Sequence, residues 1–364
     1  MNIIKYYLRK YKHLVCNKFL IIRQQVIFSR KKAQEYPNTI QLPITHLCNF
    51  DCVMCGMHHM INRTDFSIDE LKKILSDKLF SKIEAVGVNG GEPFLRKDIV
   101  ECFKMMSETL PYLKDFYVIS NGYFTSKILS SLKEIKKTCN QKGIKLNISF
   151  SVDGIYDMQD FHRGHADAFK NVNNTIDSIL SNKSAYVDNL NIICTITKHN
   201  IYRINEVDIW ARSKGIDVAY NIATVNERIE NLDREESFSI FSDEHARMMA
   251  QEFFYQKYRE TNSKRYFAIF LFLKTGKRYD TCPCMFNEWV TVTPDSQVAF
   301  CATHSKSLGS GLYESPYSLV HNNQTYLKQL IAEHCYNCSH YMYNLNADGL
   351  KEYLKDRFNN EFMR

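Results

Sequence analysis

The chain has 364 residues, and its 45% hydrophobic content is ample for a core of two domains, or of one large α/β unit with an appendage. A formal charge of +7 would raise nucleic acid as a partner, but residues 1–34 hold nine Lys and Arg and no acid. The excess therefore belongs to an arm, the rest of the chain is slightly acidic, and no nucleic-acid partner is expected. No stretch reaches about 20 uncharged apolar residues, and Lys18 and Arg23 break the early apolar run, so neither a membrane span nor a signal peptide is expected. The implied location is cytoplasmic.

Residues 1–37 read as a basic amphipathic helical arm, with Ile4, Tyr7, Leu8, Tyr11, Val15, Phe19 and Ile22 at three-and-four spacing before Pro37. Such an arm can lie on the inner face of the membrane, dock a partner, or pack on the body with its basic face in water. Strands and helices then alternate. Strands are expected at 39–45, 83–89, 115–120, 145–152, 189–197 and 217–222, and helices at 68–80, 97–110, 125–142, 167–180 and 204–214. Ser67 and Glu70 form a capping box before the first of these helices. The alternation implies a parallel sheet with right-handed crossovers, with functional groups at the carboxyl ends of its strands. Residues 223–242 read as a charged linker and 243–259 as a helix. A hairpin at 289–293 and 297–301 turns at Pro294-Asp295-Ser296, and helices are expected near 326–333 and at 347–363.

The cysteines are unevenly spread. Cys16, Cys102, Cys139 and Cys194 stand alone in apolar surroundings, as small buried hydrophobes do. Cys48, Cys52 and Cys55 sit in one loop after the first strand, spaced Cys-x3-Cys-x2-Cys. A loop of this length can aim three sulfurs at one point and leave one iron of an iron–sulfur cube open; half of a structural zinc site is the alternative. A second group, Cys282, Cys284, Cys301, Cys335 and Cys338, brackets the hairpin.

The cysteine loop, taken with Gly90-Gly91-Glu92-Pro93 after the second strand, resembles the radical S-adenosylmethionine (SAM) superfamily over residues 39–222. The resemblance implies an α/β fold, a partial (β/α)6 TIM-like barrel. It implies a [4Fe–4S] cluster on Cys48, Cys52 and Cys55, with SAM on the open iron. It also implies cleavage of SAM to a 5′-deoxyadenosyl radical that takes hydrogen from substrate, after reduction by a donor such as flavodoxin or ferredoxin. Two glycines admit close backbone approach to the methionine moiety, Glu92 can accept from its ammonium, and Pro93 stiffens the turn. Asn121, Ser151 and Asp153 occupy positions for further SAM contacts, with Arg163 a further candidate. Asn121-Gly122 and Asp153-Gly154 also read simply as turns. Met54 stands where many members carry an aromatic residue. The five C-terminal cysteines, with Leu308-Gly309, resemble SPASM and Twitch auxiliary-cluster domains. Their count implies one auxiliary [4Fe–4S] cluster on Cys284, Cys301, Cys335 and Cys338, with Cys282 the alternative to Cys284; a zinc ribbon suits the same pattern.

The domains implied are the arm at 1–37, a core at 38–225, linker and helices at 226–280, the auxiliary-cluster domain at 281–345 and a helix at 346–364. The expected reaction is net oxidation of a small or sugar-like molecule. A SPASM-type maturase acting on a ribosomal peptide is the alternative, and a non-enzymatic zinc-binding scaffold a remote one. His58 and His59 read as a surface pair. His162, Arg163 and His165 read as a loop that either meets an anionic substrate group or is solvated. No general base is legible.

Overall fold

The structure, a computed structural model, describes residues 33–60, 63–278 and 281–341. The arm proper and the expected helix at 347–363 lie outside the described residues, as does Cys16.

Six strand–helix units form the frame. Strands β1 (Thr39–Pro43), β2 (Ala85–Asn89), β3 (Asp115–Ser120), β4 (Lys145–Ser151), β5 (Asn189–Ile196) and β6 (Val218–Ile222) pair in parallel in chain order. The intervening helices are α1 (Ile68–Leu75), α2 (Ile99–Thr109), α3 (Thr125–Lys142), α4 (Asp157–Arg163), α5 (Ala168–Ser181) and α6 (Ile204–Ser213). Local chemistry sets several of the ends. Ser67 Oγ accepts from Glu70 N while Glu70 Oε2 accepts from Ser67 N at 2.8 Å, closing the box that starts α1. Gly143, at φ +67°, stops α3 in the left-handed conformation glycine adopts without strain. Ile40, Leu42, Val86, Val88, Phe116 and Ile148 bury one continuous core with Leu132, Ile135, Ile176 and Ile179 of the helices. Cys102, Cys139 and Cys194 are buried within apolar clusters or against them.

Two of the elements not foreseen have a plain physical reason. The seven residues of α4 bury Gln159, His162 and Arg163, so the helix has no apolar stripe to read. After α7 (Glu235–Phe238) and α8 (Glu244–Thr261) comes α9 (Lys264–Thr275), which buries Tyr266 and Ala268 to Leu273 almost all round and shows no 3.6-residue period.

The C-terminal hairpin continues the same sheet. Strand β7 (Trp289–Val292) pairs in parallel with the outer edge of β1, and β8 (Gln297–Ala299) and β9 (Gly309–Ser310) add antiparallel beyond it. The order is β6-β5-β4-β3-β2-β1-β7-β8-β9. Helices α10 (Pro316–Asn322) and α11 (Gln324–Glu333) return the chain to Cys335 and Cys338. No helix among the described residues is long and apolar enough to cross a membrane.

Candidate active site

The carboxyl ends of the barrel strands face one cavity of about 290 Å³. Cys48, Cys52 and Cys55 line it from the loop after β1, all three as free thiols. Gly90 and Gly91 line it after β2, Asn121 after β3 and Ser151 at the end of β4. Glu92, Pro93 and Asp153 are not on this wall but behind it.

The glycine turn is held against the chain's own backbone. Gly91 N donates to Thr45 O at 2.9 Å and Glu92 N to Leu47 O at 2.7 Å. A Cβ on Gly90 would meet Thr45 O at 2.4 Å, and one on Gly91 would meet Leu47 O at 2.0 Å, so this packing needs both glycines. Glu92 accepts from Phe94 N, Ser120 Oγ and Asn121 N, tying the ends of β2 and β3 together. Burial pushes its carboxyl up to about 7 despite those donors. The folded chain therefore holds this proton where the unfolded chain releases it. The stability this contributes is full below pH 4.5 and lost as pH rises through about 7. Glu92→Gln is expected to abolish a pH-dependent change on the order of 3 kcal/mol across that window. Urea midpoints of both proteins from pH 4 to 8 check this, and a difference that stays flat with pH contradicts it.

Asp153 has no exposed surface and anchors the opposite wall. Its Oδ2 takes Arg163 Nη2 at 2.6 Å and His162 Nδ1 at 2.8 Å, and its Oδ1 takes Thr195 N at 2.7 Å. Burial opposes ionisation, but Arg163 and His162 outweigh it and hold the carboxyl below the usual range. His162 Nε2 pairs with Thr197 Oγ1 at 2.9 Å. Arg163, held in this way, donates Nη1 to Cys52 Sγ at 3.8 Å. Burial pushes the Cys48 thiol up to about 12, and Cys52 up to about 11 with Arg163 acting against it. Such thiols stay protonated in water alone, and a bound metal would displace their protons to solvent. His58 and His59 are exposed beyond the loop, and His165 packs against Phe50 and Tyr123.

The second set of thiols gathers beside the hairpin. Cys282, Cys284, Cys301, Cys335 and Cys338 are close enough for their charges to interact, and Cys282 and Cys284 both belong to the group. His304 N donates to Cys301 Sγ and His340 N to Cys338 Sγ, each at 3.4 Å. Among the described residues no three His, Cys, Asp or Glu side chains converge as a single-ion site.

Residues 224–234, expected to be a linker, clasp the two sets together. Gly56 N donates to Ile229 O at 2.7 Å, Asn231 Nδ2 to Met54 O at 2.8 Å and Arg234 Nη1 to Cys55 O at 3.0 Å. From the same stretch, Arg228 Nε donates to Ala302 O at 2.8 Å. His340 lines the first cavity and pairs Nδ1 at 3.0 Å with Oγ1 of Thr303, two residues after Cys301. A second cavity of about 620 Å³ lies between the hairpin and the clasp, lined by Met57, Arg228, Cys301 and His46. His46 is oriented by Asp65 Oδ1 at 3.0 Å from its Nδ1. Sequence reasoning passed over His46, Asp65, Arg228, Asn231 and His340, since none stands in a spacing that announces a role.

Residues 42–225 match the radical SAM superfamily, half of the chain. The chain belongs to the radical SAM superfamily. Among curated relatives, the GTP 3′,8-cyclase of Listeria monocytogenes is 28% identical over 135 residues, 36% of this chain and 35% of that one. The GTP 3′,8-cyclase of Pasteurella multocida is 30% identical over 128 residues, 34% and 35% of the two chains. The chain thus spans about a third of the length of these relatives. Among solved structures, anSMEcpe with bound AdoMet and a Cp18Cys peptide aligns over 81% of this chain and 83% of its own, with TM-score 0.58 and 18% identity. Streptococcus suis SuiB bound to S-adenosylmethionine aligns over 81% and 68%, with TM-score 0.58 and 12% identity. These two share the fold, a radical SAM partial barrel.

Radical SAM proteins bind a [4Fe–4S] cluster and SAM. The first cavity fits that pair in donor chemistry: three free thiols on one side, and polar side chains and glycine backbone on the other.

Proposed function

We propose that this radical SAM protein uses Cys48, Cys52 and Cys55 to hold the [4Fe–4S] cluster, and Gly90, Gly91, Asn121 and Ser151 to seat SAM. When bound, that pair supplies a 5′-deoxyadenosyl radical able to take a hydrogen atom from an unactivated carbon. Glu92 and Pro93 keep the glycine turn in place, and Asp153 aims Arg163 at Cys52. The observation that carries this reading is the single cavity that the three thiols share with the ends of β2, β3 and β4. Cys301, Cys335 and Cys338, with Cys284 or Cys282, are proposed to hold one auxiliary [4Fe–4S] cluster in a Twitch-like unit at 281–345.

The reaction proposed is net oxidation of a small or sugar-like molecule. Its support is the second cavity, between the hairpin and the clasp, whose volume of about 620 Å³ is that of a small-molecule site. A maturase acting on a peptide is the second reading. The solved structures of anSMEcpe and SuiB include complexes with a peptide and a precursor peptide, which favours it. The two readings separate on deuterium transfer into 5′-deoxyadenosine from a deuterated extract, before and after exhaustive peptidase digestion. Transfer that survives digestion is expected. Transfer abolished by digestion would replace the small-molecule substrate with a peptide.

A further inference from the structure

Arg228 stands at the seam of the molecule. It is half-buried, it lines the second cavity, and its charge is felt by Cys55 of the first thiol set and Cys301 of the second. Only Nε is spent on the protein, in the bond to Ala302 O. Four of the five N–H donors that a guanidinium carries are left, and among the described residues no carboxylate pairs with them. Burial pulls the pKa of Arg228 below its ordinary value, with Cys55 and Cys301 acting against it. This is what partial withdrawal of a cation from water does.

The other charged groups on the cavity wall do not answer that cation. Arg63 is already paired with Glu230 at 2.6 Å, and Lys306 lies over the Tyr326 ring. Glu227 is exposed, and Asp295 accepts from Thr293 Oγ1 at 2.6 Å; neither pairs with Arg228. His304 and His334 stack on each other at the rim. A fork of free N–H donors in a partly desolvated cavity matches the geometry of an oxyanion, which takes two parallel hydrogen bonds from one guanidinium.

We propose that the second cavity takes a substrate bearing an oxyanion, a carboxylate or a phosphate, and that Arg228 grips that group and so determines specificity. Resting on the function proposed above, this places the anionic end of the substrate against the clasp and leaves its other end toward the SAM cavity.

The test uses iron-replete protein, photochemically reduced so that no sulfur oxyanion competes. S-adenosylhomocysteine, which has no sulfonium methyl, fills the first cavity. Inorganic phosphate is titrated with 31P relaxation as the readout, and [1-13C]acetate with 13C relaxation in a second arm. Saturable enhancement is expected for at least one of the two anions, and the arm that saturates names the oxyanion. Arg228→Met is expected to weaken binding about ten- to a hundredfold, and Arg228→Lys less than Arg228→Met. No saturable enhancement from either anion in the wild-type protein overturns the proposal. So does equal anion affinity in Arg228→Met, above all if its cluster EPR signal shifts, which would assign Arg228 to thiolate charge. Iron content, and 5′-deoxyadenosine yield on an aliquot given SAM in place of S-adenosylhomocysteine, report separately on the radical SAM function.

Discussion

Asp153→Ala is expected to destabilise the folded chain by about 3–5 kcal/mol, the cost of removing one partner from a buried ion pair. Asp153 has no exposed surface, and three donors converge on it: Arg163 at 2.6 Å, Thr195 N at 2.7 Å and His162 at 2.8 Å. Alanine leaves the Arg163 guanidinium buried with no counter-charge and removes the group that aims it at Cys52. Because folding lowers the pKa of Asp153, its contribution is present above the ordinary carboxylate range and is lost as pH falls through the folded value. Removing the cation as well, in Asp153→Ala with Arg163→Met, is expected to cost less than the sum of the two single changes. Chemical denaturation of the four proteins at pH 7 measures this. A loss below about 1 kcal/mol for Asp153→Ala would mean that the network does not hold the β4 wall.

Cys52→Ala carries the second large effect. Even the partners of metal ligands cost about 10–100-fold when removed, so loss of a proposed ligand is expected to lower 5′-deoxyadenosine formation by more than about a hundredfold. It is expected to take about four irons with it, by the four-iron count of one cluster. Cys338→Ala is expected to remove about four different irons while SAM cleavage at the first cavity persists. Iron and sulfide analysis of the two variants beside the wild type would show whether the sites are independent. Variants that each lose all iron would show instead that one centre depends on the other.

Much of this was legible because the signals are local. The Cys48–Cys55 spacing, the Gly90–Pro93 turn, the Ser67 box and the Gly143 stop each lie within a few residues, and each falls where the alternation of strands and helices placed it. What lay hidden depends on distant partners. Glu92 and Asp153 stand beside residues that line the first cavity, yet Ser120, Asn121, Arg163 and His162 draw their carboxylates behind its wall. The turn of Gly90 and Gly91 packs on Thr45–Leu47, a contact that a motif does not show. Residues 224–234 look like a polar linker because Asn231, Arg228 and Arg234 spend their side chains on backbone carbonyls of Met54, Ala302 and Cys55. Helix α9 escaped because a helix buried on nearly every side carries no period.

The most direct test of the whole account is anaerobic reconstitution of the wild-type chain with iron and sulfide, followed by SAM and a strong low-potential reductant. The account predicts a brown protein with about eight irons per chain, four for each thiol set, that converts SAM to 5′-deoxyadenosine and methionine. A colourless protein that binds zinc in stoichiometric amount and leaves SAM intact would contradict it.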